Sequence, residues 1–124
     1  MGRMRKNATA FSVYITEECL RVMEYLSVRE EITQVVFVRR AIRYFLAGER
    51  KIDERILITK WSNPKYIRRN ALLTGYIDIN QKKELEDTAR EQGAKFSHAF
   101  FQAMISYCAL LITIDDTGIE ITEK

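Results

Sequence analysis

With 124 residues, 47% of them hydrophobic, 30% charged and a single proline, the chain has the length of one small domain and enough apolar content to give it a core. This composition excludes a collagen-like repeat, a disordered polar chain and a disulfide scaffold. The net charge of +3, from 20 Lys and Arg against 17 Asp and Glu, permits an anionic partner without demanding one.

The N-terminal arm, residues 1–9, carries Arg3, Arg5 and Lys6. Beyond this arm, Ser12, Glu17 and Glu18 interrupt the chain before a signal-peptide core could form, and no apolar run approaches the ~20 residues of a membrane span, so a soluble, cytoplasmic protein with no membrane partner is expected. Over residues 10–15 the chain alternates: Phe11, Val13 and Ile15 point one way, Ala10, Ser12 and Tyr14 the other, as in a strand with one buried face. Thr16 reads as a helix N-cap, followed by Glu17 and Glu18 where the helix dipole favours acids. Leu20, Val22, Met23 and Leu26 then recur at helical spacing to about residue 30. Thr33 caps a second helix with an apolar stripe of Val36, Phe37, Ala41, Ile42 and Phe45, and Gly48 stands where a C′ glycine would end it. The first unit, residues 10–48, is strand, helix, helix.

A basic linker, residues 49–71, carries Lys51, Arg55, Lys60, Lys65, Arg68 and Arg69 with Trp61 and Pro64. It is long for a connection inside a domain, so residues 52–61 are expected to hold regular structure of their own, helix or strand. The second unit, residues 72–114, repeats the order. Leu73, Gly75, Ile77 and Ile79 alternate with Thr74, Tyr76 and Asp78; Asn80 reads as a cap; Leu85 and Ala89 mark a helix that Gly93 ends; Ser97 caps the last helix. Aligned on their caps, Thr33 with Ser97 and Thr16 with Asn80, the units repeat at a spacing of 64. Residues 115–124 read as a turn and a tail.

Cys19 and Cys108 have no ligand-spaced partners and read as reduced core residues. His98 stands with no nucleophile or carboxylate at a catalytic spacing, there is no Gly-rich phosphate loop, and Asp78-Ile79-Asn80-Gln81-Lys82 lacks the glycine and terminal glutamate of a calcium loop. No enzymatic activity, cofactor or metal is expected.

A strand-helix-helix unit of this size leaves its strand unpaired and its helices half covered, so it must pair. Two such units can set their strands side by side as an antiparallel ribbon over four helices. In this the chain resembles the ribbon-helix-helix (MetJ/Arc-like) DNA-binding family. In the first unit the resemblance runs over residues 10–49, strongest in Phe37-Val38-Arg39-Arg40-Ala41-Ile42-Arg43-Tyr44-Phe45-Leu46; in the second it covers residues 72–111, strongest in Leu85-Glu86-Asp87-Thr88-Ala89-Arg90-Glu91-Gln92-Gly93. Two units in one chain is similar to the tandem form found among proteins of plasmids and other mobile DNA elements. The resemblance implies a mainly α fold with a short two-stranded antiparallel ribbon, a tandem pseudo-dimer within a monomer, and double-stranded DNA as partner, beside other proteins of a nucleoprotein complex. The function it implies is sequence-specific binding by a transcriptional regulator or a relaxosome-type accessory factor.

Carried over by position, Ala10, Ser12, Tyr14, Thr74, Tyr76 and Asp78 would read base edges in the major groove. Thr33, Gln34, Ser97 and His98 at the helix N-termini, with Arg3, Arg5 and Lys6, would meet phosphates. Without the resemblance, Ser12, Tyr14 and Tyr76 read as an ordinary exposed strand face. Asp78 suits a cytosine amino group, yet its carboxylate is repelled by phosphate. Residues 1–70 hold 15 Lys and Arg against 8 Asp and Glu, net +7, and the remainder 5 against 9, net −4; the first unit and linker therefore carry the phosphate-neutralising charge. Two other readings stand beside this one. In the first, the acidic second half and Val35 and Val36 fit a protein-interaction module that no longer reads DNA. In the second, like units pair between chains.

Overall fold

The structure is a computed structural model that describes residues 7–117, with side chains to residue 114. The chain folds as β1 (Ala8–Ile15), α1 (Glu17–Arg29), α2 (Gln34–Ala47), a single 3₁₀ turn (Glu54–Leu57), β2 (Ala71–Asp78), α3 (Ile79–Glu91) and α4 (Phe96–Thr117). The strands form one two-stranded antiparallel sheet, in which Ser12 faces Thr74, Tyr14 faces Leu72 and Ala10 faces Tyr76. The expected alternation holds in β1: Phe11, Val13 and Ile15 are buried and Ala10, Ser12 and Tyr14 exposed. The mainly helical class and the short antiparallel ribbon are as expected.

Caps place the helices. Thr16 Oγ1 accepts from the Cys19 amide at 3.0 Å, and Thr33 Oγ1 from the Val36 amide at 3.2 Å, each satisfying a first-turn donor. In the second half the caps differ from those expected. Asp78, not Asn80, is the N-cap of α3; its Oδ1 accepts from the Asn80 amide at 2.7 Å and the Gln81 amide at 3.4 Å. The chain therefore turns helical two residues early, and Ile79, expected in the ribbon core, stands in α3 and is exposed. Ser97 lies inside α4 instead of capping it. The cap is reversed: His98 Nδ1 accepts from the Lys95 amide at 3.0 Å, while the His98 amide donates to the Lys95 carbonyl at 2.9 Å, the part that Glu or Gln plays in a capping box.

The helices of the two halves are accordingly offset by 62 residues, not 64. At that shift the buried Phe37, Val38, Ala41, Ile42 and Phe45 of α2 fall on the buried Ala99, Phe100, Ala103, Met104 and Tyr107 of α4. Met23, Leu26 and Ser27 of α1 fall likewise on Leu85, Thr88 and Ala89 of α3. Phe11 packs tilted against Phe100 with ring centroids 4.8 Å apart, and Phe37 meets Tyr107 edge-on at 5.1 Å, so aromatic packing ties β1 and α2 to α4.

At the helix ends, α1 closes on Glu31 in the left-handed region (φ 58°), with the Ile32 amide donating to Ser27 O and the Glu31 amide to Val28 O. Gly93 (φ 68°) closes α3 with the same two bonds, Ala94 to Ala89 and Gly93 to Arg90, the Schellman arrangement. Gly48 ends α2 as expected but in extended conformation (φ −99°). α4 continues through residues 115–117, where a turn was expected, because no proline or glycine there breaks the helix; Gly118 and the tail lie outside the described residues.

Length expectations also fail for α4. Its segment Phe96–Ile114 is long and apolar enough to cross a membrane by length and composition. Here that apolar surface belongs to the core: Ala99, Phe100, Phe101, Ala103, Met104, Tyr107, Cys108 and Leu111 are buried among the other elements. Cys19 of α1 and Cys108 of α4 are both buried with free thiols, and their mutual hydrogen bond, together with burial, pushes the Cys19 thiol up.

The linker is docked. Its regular structure is the 3₁₀ turn, capped by Asp53, and Ile52 and Ile56 are buried. Gln92, at the end of α3, accepts from the Ile52 amide at 2.9 Å and donates to Arg50 O at 2.6 Å, and Gln102 of α4 accepts from the Asp53 amide at 2.7 Å. Arg55 hydrogen-bonds Asp53 through side chain and amide, which holds the Asp53 carboxyl at about 2.

Candidate nucleic-acid interface

Opposed residues of an antiparallel pair project to the same face. The register therefore gathers Ala10, Ser12, Tyr14, Leu72, Thr74 and Tyr76 on the outer side of the ribbon, and all six are exposed. Ser12 and Thr74 face each other at the centre, with Tyr14 and Tyr76 toward opposite ends. This face presents hydroxyls, a leucine and an alanine, with no charged side chain among the six.

Five of the six base-edge candidates named from sequence thus share one face. The sixth, Asp78, stands at its end opposite Ala8, and its Oδ1 is committed to the α3 cap. Leu72 was missed because the second strand was read from Leu73; the burial of both Ala71 and Leu73 shows that the inward alternation begins one pleat earlier.

The inner face explains the exposure of the outer one. Phe11, Val13, Ile15, Ala71, Leu73 and Ile77 are buried against the helices, so the ribbon cannot rotate without exposing them. Gly75 faces Phe11 on this side. A Cβ there would stand 3.1 Å from Phe11 Cε2 and 3.2 Å from Phe11 Cζ; glycine lets the Phe11 ring lie over the strand.

Of the phosphate candidates, Thr33 and Gln34 are exposed at the start of α2, where the amides of the first turn have no intrahelical acceptor. Val35 reaches the neighbourhood of Gly75, which sets this helix end beside the ribbon. Ser97 and His98 lie in the first turn of α4, and the His98 amide and ring are both engaged with Lys95. Partial burial, with the charges of Arg69 and Lys95, lowers the His98 pKa. Arg3, Arg5 and Lys6 lie outside the described residues. One basic side chain that sequence reasoning did not single out also adjoins the ribbon: Lys82 Nζ donates to Ala10 O at 3.3 Å and sits over the Phe96 ring. Nothing in its spacing marks it, since its partner is 72 positions away.

Among the described residues no cluster of three or more His, Cys, Asp or Glu could hold a metal ion. Compared with family models, with curated proteins and with solved structures, the chain gives no significant match.

Proposed function

We propose that the chain is a tandem ribbon-helix-helix protein that binds double-stranded DNA sequence-specifically, laying the outer face of β1 and β2 in the major groove. It would act in the cytoplasm as a monomer, as a transcriptional regulator or an accessory factor of a DNA-processing complex, with no enzymatic activity. The observation that carries the reading is the register. At the repeat spacing of 62, Ser12 is equivalent to Thr74, the residue it faces. A pseudo-twofold axis therefore passes through that pair, with the equivalent Tyr14 and Tyr76 disposed about it. A two-stranded ribbon fits the major groove, and a pseudo-twofold reader calls for a pseudo-palindromic site.

The symmetry is imperfect where Ala10 is equivalent to Leu72, so one half-site gains an apolar contact of the kind a thymine methyl accepts. The first-turn amides of α2 and the basic arm supply phosphate contacts. The committed carboxylate of Asp78 removes it from the reading set.

Selection of bound sequences from a random duplex pool, followed by footprinting, tests this. The expected product is a short imperfect palindrome centred on the ribbon. Tyr14→Ala and Tyr76→Ala should relax preference at positions on opposite sides of the centre, whereas Arg5→Ala should weaken all sequences alike and reduce the salt slope by about one. No binding to random duplex at micromolar protein and low salt would overturn the reading in favour of a protein-interaction module, to which exposed Val35 and the acidic second half would then belong.

A further inference from the structure

The linker builds a second feature that the ribbon reading does not use. Residues 55–77 carry Arg55, Lys60, Lys65, Arg68 and Arg69 and no acidic residue. Within this stretch, Trp61, Tyr66, Arg68, Arg69 and Asn70 line a cleft of about 430 Å³, within the range of small-molecule sites. Trp61, a residue type that is mostly buried on average, is 83% exposed at its rim.

The cleft is held by its backbone. The Asn63 amide donates to Lys60 O and the Tyr66 amide to Asn63 O, both at 2.9 Å, and Asn63 Oδ1 accepts from the Lys65 amide at 2.8 Å. These are two successive turns, with Pro64 at the position where its fixed φ suits the second. Of the lining residues, Arg69 donates to Ile56 O at 3.3 Å and lies over the Phe101 ring at 5.5 Å, so its guanidinium is fixed to the core.

A flat aromatic face, a second aromatic, fixed and free guanidinium groups and a side-chain amide in one cleft match a nucleotide. The base stacks, the phosphate meets arginine, and the amide reaches a base edge. A cationic ligand is excluded by the arginines, and an aliphatic one would leave their charge uncompensated. Since a base inside a duplex offers no free face, we propose that this cleft binds an unpaired nucleotide of single-stranded DNA. The protein would then hold duplex on its ribbon and melted or single-stranded DNA on its linker. The cleft proposal stands apart from the ribbon reading and can survive its failure.

Trp61 is the only tryptophan, so its fluorescence reports directly. Titration of the full chain with oligothymidylate should quench it saturably. By anisotropy of the labelled oligonucleotide, Trp61→Ala should weaken binding about tenfold, while Trp61→Phe, which keeps a stacking face, should stay within about threefold. Arg68→Ala should lower the salt slope by about 0.7. Binding of a blunt duplex should be unchanged in the two Trp61 variants. Absence of quenching, equal losses on single strand and blunt duplex in Trp61→Ala, or a quench that follows protein concentration without DNA would each overturn the proposal, the last assigning Trp61 to self-association. Loss of duplex binding with oligothymidylate binding intact would break the ribbon reading alone.

Discussion

Residues 10–48 and residues 72–114 bury equivalent positions yet close their ends by different chemistry. Thr16 caps the first helix of one unit and Asp78 that of the other; Thr33 caps α2 through its own hydroxyl, whereas α4 is capped backwards by His98. Glu31 takes the left-handed turn that Gly93 takes 62 residues later. Val13 fills its place in β1, and its equivalent Gly75 yields that space to Phe11. The difference separates two kinds of constraint. A shared core fixes which positions are apolar, because four helices must interlock beneath one ribbon. A helix end needs only some acceptor in reach, and several residue types supply one.

The pair Phe11–Gly75 offers the sharpest break. At the 62-residue offset its counterpart is the facing pair Val13–Leu73, so Phe11→Leu with Gly75→Val would make the two pairs alike. Gly75→Val alone forces a branched side chain against the Phe11 ring, which is itself packed against buried Phe100, and should cost about 3 kcal/mol. Adding Phe11→Leu should return at least half of that in urea denaturation. A double variant no better than the single one would mean that the two pairs are not interchangeable and that the inner face lacks the symmetry assigned to it.

The C-caps differ next. Gln92 occupies the position equivalent to Glu30. The Glu30 carboxylate pairs with the neighbouring Arg29 at 3.1 Å, whereas Gln92 joins α3 to the linker through Ile52 and Arg50. Gln92→Ala leaves a linker amide and a carbonyl without their partner and should cost about 2 kcal/mol, with hydrogen exchange accelerated at residues 50–56. Glu30→Ala removes one half-buried pair between chain neighbours and should cost less, about 0.5 kcal/mol. Equal losses from the two would show that the linker is not held by this clamp.

What was legible in the sequence divides along the same line. Strand alternation at Phe11, Val13 and Ile15, the Thr16 and Thr33 caps, the stripe from Phe37 to Phe45 and the order of elements could all be read, because period and cap chemistry are local. The repeat length could not be read from caps. Asn80 and Ser97 are each acceptable cap residues, and each stands two places beyond the residue preceding its helix, so two landmarks agreed on 64 while both were displaced by the same amount. The burial pattern would have returned 62. Leu72, Lys82 and the Cys19–Cys108 contact depend on register or on partners far away in sequence, which no local signal carries. Trp61 was visible as a residue, but its cleft requires the two turns and the anchoring of Arg69 to Ile56.

At the left-handed turns the substitution can be run in both directions. Glu31 has a Cβ in a region that favours glycine, so Glu31→Gly should raise stability by about 1 kcal/mol, and Gly93→Ala, with open space around it, should lower it by about the same. Thermal melts would check the pair. Two changes of the same sign would contradict the equivalence of these ends.

The smallest effect is a pH dependence confined to the second unit. His98 accepts from the Lys95 amide through Nδ1, which requires a neutral ring. Protonation would set a donor against a donor, place a cation at a helix N-terminus, and bring it toward Arg69 and Lys95, the charges that together with burial lower its pKa. Because the folded state resists the proton that an unfolded histidine takes up near 6.5, this contribution is complete above that pH and is lost as pH falls below it. The loss is bounded by one solvent-screened cap, about 0.5 kcal/mol. His98→Gln keeps an acceptor at the same helix position without a titrating group; it should match the parent at pH 7.5 and lose less by pH 5.5 in urea midpoints. Thr33→Ala removes the equivalent cap of α2 and should lower both midpoints together by a pH-independent amount. If the parent and His98→Gln profiles run parallel, the reversed cap does not titrate, and the α4 terminus is held by the core packing of Phe96 and Phe100 instead.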